Sequence, residues 1–342
     1  MLLAQLIADT NLNSAFAWLC RQRVHFPANA DIWHLRAHQA TRLPAMQAKL
    51  ADNQYNLTPL ELMTKRDGTR IALWSSEDAL VLKMLTQVLQ PLLPCHRLCV
   101  HSKGHGGSKR SIQVTHDRIN SGRFVFVLRT DIKGYYAQIN KHQLLAQLAA
   151  IIPCKVIINL LSQYLFYSVE EGGNFHTPDK GISRGCALSP LMASFQLYCM
   201  DAYFAKQKQL RYQRYMDDFL ILCQSHNQLR QAVRQLNQFF TYFGFKQHPD
   251  KTFIGKIAKG FDWLGFQFNQ TGVISVSART LDHYVIKLHQ LYEQARGRIS
   301  ATHEEIHARV VAYGIRWRRW STSGLHPNIV KRLANSVDYA SP

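Results

Sequence analysis

No apolar run in the 342-residue sequence is long enough to cross a bilayer. The opening MLLAQLIADTNLN lacks the basic start and small-residue cleavage site of a secretory signal, so the expected compartment is the cytoplasm, with no membrane partner. Acidic residues are scarce: 22 Asp and Glu stand against 41 Lys and Arg, a formal charge of +19 at pH 7. An excess of that size points to a polyanionic partner, nucleic acid first among them. The basic residues are not gathered in one tail. They recur in KRDGTR, SKGHGGSKR, RYQR, KTFIGKIAKG and RWRRW, as expected if several segments line one groove. Cysteine is sparse and odd in number. Cys20, Cys95, Cys99, Cys154, Cys186, Cys199 and Cys223 lie mostly among apolar residues, which suits reduced, packed thiols rather than disulfides. CHRLCVH holds Cys95, His96, Cys99 and His101, but no second Cys/His pair follows at zinc-finger spacing. Repeats and low-complexity segments are absent. With 46% hydrophobic and 18% charged residues, the chain is globular and long enough for two or three subdomains.

Residues 1 to about 60 read as mostly helical. KRDGTRIALW predicts a turn at Asp67-Gly68 and then a short strand. SSEDALVLKMLTQVLQPLL carries a capping signature, Ser76 ahead of Glu77 and Asp78, with apolar residues at helical spacing. RFVFVLRTDI is a continuous apolar run ending on Asp131, which suits a strand buried on both faces, and NKHQLLAQLAAII reads as the following helix. In SPLMASFQLYCMDAYFAK, Ser189 fits an N-cap and Pro190 the first helical position of a buried helix. RYQRYMDDFLILCQ predicts strand, turn, strand, with aspartate tolerating the left-handed backbone of a tight turn. HNQLRQAVRQLNQFFTYFGF is an amphipathic helix stopped by Gly244. KGFDWLGFQFNQTGVISVS predicts a second hairpin, and helical patterns rich in Arg, His and Trp follow from about 277. This order describes an α+β fold, an antiparallel sheet backed by helices.

Asp131 closes one buried strand, and Asp217 and Asp218 form the turn between two others. If those strands are neighbours, three carboxylates meet. Such a cluster requires divalent cations or raised pKa values. Oxygen ligands without Cys or His favour Mg²⁺, and a pair of Mg²⁺ ions is the device by which polymerases and nucleases transfer phosphoryl groups. The competing reading is a solvated Asp-Asp hairpin tip.

Tyr215-Met216-Asp217-Asp218 resembles the YxDD signature of reverse transcriptases, and other blocks resemble that family in the same order. TDIKGYYAQI (Thr130 to Ile139) and KGISRGCALSPLMASFQLYCMD (Lys180 to Asp201) are similar to two motifs of bacterial group II intron and retron enzymes. HPDKT (His248 to Thr252) and FDWLGF (Phe261 to Phe266) resemble the segment before the primer grip and the grip itself. The resemblance spans about residues 60 to 270. It implies a right-hand polymerase, with an N-terminal helical extension over 1–60 and fingers over 61–125 with part of 140–180. The palm would occupy 126–270, an antiparallel sheet backed by helices, and a helical thumb 271–342.

Carried over by residue, the resemblance implies that Asp131 and Asp217 ligate two Mg²⁺ ions, with Mn²⁺ as a substitute. Asp218 assists, and the Ile132 carbonyl adds a ligand. Tyr136 falls where the family places its steric gate against a ribose 2′-OH, selecting dNTPs, unless it is a packing tyrosine. Lys251 stands where it would protonate the departing pyrophosphate, or is a surface charge. Lys65, Arg66 and Arg70 lie in the block that clamps triphosphate, and Met216 lies beside the nucleotide. Relatives usually have Pro-Gln-Gly where this chain has Ser183-Arg184-Gly185. Arg184 can reach a phosphate from there, and Gly185 allows close backbone approach. Trp263, Leu264, Gly265 and Phe266 match the primer grip, although WLGF suits an ordinary hydrophobic hairpin equally. In GIRWRRWSTSGL, Arg316, Arg318 and Arg319 fit a thumb helix on a duplex backbone, and Trp317 and Trp320 supply core or stacking.

The implied activity is RNA-directed DNA synthesis, with dNTPs, an RNA template and an RNA/DNA hybrid as partners. The 342 residues leave no room for RNase H or integrase, and no maturase or zinc-binding nuclease pattern follows the thumb. The expectation is therefore a stand-alone bacterial enzyme working with a dedicated non-coding RNA, by analogy in anti-phage defence. A protein partner or self-association is compatible with it. The alternatives are a template-independent terminal transferase of the same fold and a non-catalytic RNA-binding scaffold.

Overall fold

The computed structural model describes residues 1–64, 70–296, 302–323, 325 and 327–337. Lys65, Arg66 and the expected Asp67-Gly68 turn lie outside the described residues. Eleven strands run through them: β1 (Leu60–Thr64), β2 (Arg70–Leu73), β3 (Phe126–Asp131), β4 (Val169–Glu171), β5 (Asn174–His176), β6 (Arg211–Tyr215), β7 (Asp218–Cys223), β8 (Phe253–Lys256), β9 (Phe261–Trp263), β10 (Phe266–Asn269) and β11 (Gly272–Val276). The chain divides into two compact units. One comprises Met1–His96, Ile132–Met200 and Phe239–Lys246; the other comprises Arg97–Asp131, Asp201–Gln238 and Gln247–Pro342.

In the first unit, the N-terminal helices Leu2–Ile7, Asp9–Gln22 and Asp31–Ala37 pack on helix Ser76–Leu89, burying Leu6, Leu12, Leu19 and Leu35. The cap of that last helix is Ser75, not Ser76: the Ser75 hydroxyl accepts from the Asp78 N–H at 3.1 Å. Ser76 is instead bonded to Arg23 and Asp31 at 2.6 Å each, a partly buried cluster that draws the hydroxyl away from its own backbone. A sheet in the order β2–β1–β4–β5 completes the unit, with β1 and β4 parallel. Helix Lys141–Ala149 starts, as expected, after the loop that follows β3, capped by Asn140. The expected long helix from Ser189 is two helices, Ser189–Gln196 and Tyr198–Ala205. Ser189 does not cap it, because its hydroxyl donates to the Ser183 carbonyl at 2.7 Å.

The second unit holds two sheets. One has the order β6–β7–β3–β8, all pairs antiparallel. The other, β11–β10–β9, turns the expected second hairpin into three strands. Val127 of β3 and Leu220 and Leu222 of β7 share one core with Ile112 and Ile119 of helix Gly107–Asn120 and with Trp263, Phe266 and Phe268 of the smaller sheet. Trp317 of helix His303–Thr322 closes the same core, together with Ile329 and Leu333 of helix Pro327–Val337. The run FVLRTD is buried from Val127 onward because strands flank it on both edges and apolar side chains cover it. This is the strand that carries Asp131.

Candidate active site

The register of β3 and β7 sets Asp131 directly opposite Asp218, and β6 pairs Tyr215 with the same Asp218. Directly opposed residues in an antiparallel pair lie about 4.5–5.5 Å apart, so the strand ends alone bring carboxylates together. Asp217 sits in the two-residue loop before β7, next to the Asp218 that faces Asp131 across the strands. Burial, then the charge of Asp131, pushes Asp217 up to about 6. Burial likewise raises Asp218 to about 7, with Asp131 and Asp217 adding to the rise and Arg129 opposing it.

Two cations answer this charge. Lys251 Nζ lies 2.5 Å from Asp131 Oδ2. Arg129 Nη2 lies 3.6 Å from Asp218 and 3.3 Å from Asp262, while its Nη1 donates to the Lys251 carbonyl at 2.5 Å. Fully ionised, the four carboxylates carry a charge of −4 against +2 from Lys251 and Arg129, leaving −2. The donors are all hard oxygens, so the residues fit a divalent cation of the magnesium type. Among the described residues no three His, Cys, Asp or Glu side chains form a ready cage, and Lys251 is paired with Oδ2 of Asp131. Ile132 follows Asp131 with its side chain buried.

The turn that presents Asp217 is held by groups the sequence reading overlooked. Left-handed backbone was expected at aspartate; the structure puts it at Met216, with φ of 53°. An ordinary side chain there costs about 1–3 kcal/mol and persists only where its surroundings fix it. The Met216 N–H donates to Nδ1 of His101 at 2.9 Å, and its carbonyl accepts from Arg214 Nη1 at 2.8 Å. Arg214 is fixed by Asp201, Nε to Oδ1 at 2.8 Å and Nη2 to Oδ2 at 2.5 Å, and both side chains are fully buried. The Tyr212 hydroxyl donates to the same carboxylate at 2.6 Å. His101 reaches the turn because the Leu98 carbonyl and Val100 N–H bond to Arg214 of β6, each at 2.8 Å, which aligns CHRLCVH beside the hairpin. That motif thus lends the turn a hydrogen-bond acceptor. The signal in the sequence was Arg214 itself, a charged residue on the inward side of a strand that demands a buried partner.

The first unit brings three other expected residues together. The loop holding Ser183, Arg184 and Gly185 docks on the segment of Tyr136, through the Ile182 N–H to the Tyr136 carbonyl at 2.9 Å and the Gly181 N–H to the Ile139 carbonyl at 2.8 Å. Gly181, at φ of 87°, is obligatory: a Cβ there would lie 2.8 Å from the Ala137 backbone. The Arg184 guanidinium then stands 5.7 Å from the centre of the half-buried Tyr136 ring. Gly185 is exposed at φ of 84°. Arg70 opens β2 in this unit.

WLGF divides in two. Trp263 and Phe266 are fully buried, and the Trp263 indole donates to Ser111 at 3.0 Å, so these rings belong to the core. Leu264 and Gly265, both at positive φ, form the tip between β9 and β10. Arg316, Arg318 and Arg319 are exposed on helix His303–Thr322. Of its tryptophans, Trp317 is core, while Trp320 lies over the Lys109 ammonium at 4.9 Å.

A family profile described as reverse transcriptase (RNA-dependent DNA polymerase) matches residues 65–268. No curated protein matches the chain. Among solved structures, the chain is similar to a telomerase from Candida albicans in complex with a TWJ fragment of telomeric RNA. The TM-score is 0.51 at 15% identity, over 86% of this chain and 60% of that one. It also matches a telomerase from Candida tropicalis truncated from its C-terminal domain, with a TM-score of 0.46 at 17% identity over 64% of this chain and 54% of that one. A Cas6-RT-Cas1–Cas2 complex gives a TM-score of 0.43 at 20% identity, over 71% of this chain and 41% of that one. The chain thus spans about three-fifths of the length of the first telomerase.

Proposed function

Because the chain belongs to the reverse transcriptase family, we propose that it extends a primer with deoxynucleotides on an RNA template at the carboxylate cluster of β3 and the β6–β7 turn. The observation that carries this reading is the meeting of Asp131, Asp217 and Asp218 from separate segments in one charge-deficient site. Asp131 and Asp217 would hold magnesium, with Asp218 and the Ile132 carbonyl beside them. When bound, the metal supplies charge for the attacking 3′-hydroxyl and the leaving pyrophosphate. The chain's own groups do the rest. Lys251, paired with Asp131 in the free protein, would serve as the proton donor to the leaving pyrophosphate. Arg129 keeps Asp218 and Asp262 oriented. His101 and Arg214 hold the turn in its costly conformation, so that Asp217 needs no rearrangement to act.

Tyr136 and Arg184 form the proposed sugar and phosphate contacts of the incoming nucleotide, the ring excluding a 2′-hydroxyl and the guanidinium meeting phosphate. With them go the division into fingers, palm and thumb and a cytoplasmic enzyme serving a dedicated non-coding RNA. The defence role belongs to the same proposal and rests on analogy. Incubation of the pure protein with Mg²⁺, a primed RNA template and labelled dNTPs or NTPs tests the reading. Incorporation of dNTPs is expected. Incorporation of NTPs alone would remove Tyr136 as a gate, and incorporation of neither would leave an RNA-binding scaffold.

The raised carboxyls give a second test. A group whose pKa the fold raises contributes stability below its unfolded value, near 4, and loses it as pH rises through the folded one. With Asp217 at about 6 and Asp218 at about 7, the metal-free protein is expected to melt at progressively lower temperature from about pH 4 to pH 7. Added Mg²⁺ should reverse this, with its largest gain above pH 7, where the carboxylates are ionised. Thermal melts across pH, with chelator and with magnesium, read both; a magnesium effect equal at all pH values would place the ion elsewhere.

A further inference from the structure

SKGHGGSKR, the glycine-rich basic segment, has no part in the site described above. In the second unit it lines a cleft of about 580 Å³ together with Arg211 and Gln213 of β6. Three arginines from separate segments line it: Arg97, Arg110 and Arg211. No aspartate or glutamate does, and none of the three arginines is in an ion pair among the described residues. Arg97 and Arg110 are exposed. Arg211 is half-buried, and its Nε is buried with no hydrogen-bond partner. Burial and the neighbouring Arg118 both make its charge harder to hold. Gly106, at φ of 97°, also lines the cleft and is the N-cap of helix Gly107–Asn120, which no side chain caps.

A protein does not gather like charges around an orphaned guanidinium at no cost, since each raises the cost of the next. The arrangement becomes favourable when an anion with several acceptor oxygens enters. Guanidinium groups match phosphate oxygens two at a time, and an uncapped helix start favours negative charge. The location separates this cleft from the carboxylates. Arg211 begins β6 and Tyr215 ends it, which puts them about 13 Å apart along the strand.

We propose that this cleft binds a backbone phosphate of an RNA strand, at a site distinct from the carboxylate cluster. The assignment of the phosphate to RNA rests on the polymerase reading; the charge balance that calls for phosphate does not. At Gly104 no atom lies within 4 Å of where a Cβ would stand, so the backbone of this lining residue is open, where a polymer can enter and leave.

The test uses the full chain with Arg97→Gln and Arg110→Gln together, two exposed positions whose change spares the core. Binding of a labelled oligo(U) RNA is measured by anisotropy as salt is varied, with inorganic tripolyphosphate as a separate ligand. The double variant is expected to lose about tenfold in RNA affinity at moderate salt, and the slope of log K against log salt should fall by about 1 to 2. Its incorporation on a saturating short primed template should match the parent. Unchanged affinity and slope would overturn the proposal. Loss of tripolyphosphate binding with RNA affinity intact would overturn it too, assigning the cleft to a free triphosphate. Were the parent itself unable to incorporate nucleotides, the polymerase reading would fail while the RNA comparison still decided the cleft.

Discussion

Asp217→Asn is expected to lower nucleotide incorporation by about a hundred- to a thousandfold or more while leaving the protein as stable as the parent, or slightly more so. The two halves of that expectation share one cause. In the free protein the Asp217 carboxylate is desolvated and pressed against Asp131, which is why it holds a proton at pH values where an exposed aspartate has lost it. A carboxamide has the same shape and cannot ionise, so it removes a repulsion from the fold. It also removes the negative charge that a cation would meet. Primer extension measures the loss; a thermal melt above pH 7, without magnesium, measures the stability. If the variant unfolds instead, the acidic turn is architectural and the catalytic assignment fails.

Asp201→Ala should act through stability. It strips the partner from a guanidinium that has no access to water, and breaking a buried pair from one side costs about 3–5 kcal/mol. Replacing the whole group is a different experiment. Asp201→Leu with Arg214→Met and Tyr212→Phe leaves no polar side chain of the trio without a partner, and such exchanges are close to neutral or stabilising. Yet the Met216 carbonyl then loses its donor. The triple variant is therefore expected to unfold in urea close to the parent and to incorporate nucleotides at least about tenfold more slowly, since a small displacement of a reacting group is costly. A fully active triple variant would show that the turn holds its shape unaided. An Asp201→Ala protein as stable as the parent would mean that Arg214 finds another partner.

These residues also mark where the sequence stopped being readable. The central strand was plain because Phe126–Asp131 is covered on both faces and so reads as an unbroken apolar run. The aspartates were plain because paired charges beside a buried strand demand a reason. What the linear pattern does not hold is the identity of distant partners. Arg214 counted only as one of the basic residues of RYQR, because its carboxylate lies 13 residues away in another element and the ring that takes the Met216 N–H lies 115 residues away. Ser75 and Ser76 are equal candidates for a cap until the cluster with Arg23 and Asp31 claims one of them. WLGF reads alike as a contact surface or as core, because aromatic residues serve both; burial puts the Trp263 and Phe266 rings in the core, while Leu264 and Gly265 form the tip.

The pairing of β3 with β7 ties activity to folding more tightly than the chemistry alone requires. Alternate residues of a strand point to opposite faces, so slipping these strands by one residue would part Asp131 from Asp218 and in the same motion exchange Leu220 and Leu222 with Phe219 and Ile221 between two packed faces. A single inserted or deleted residue in either strand would thus take both together. Loss of catalysis with the fold kept is open only to changes of side chain.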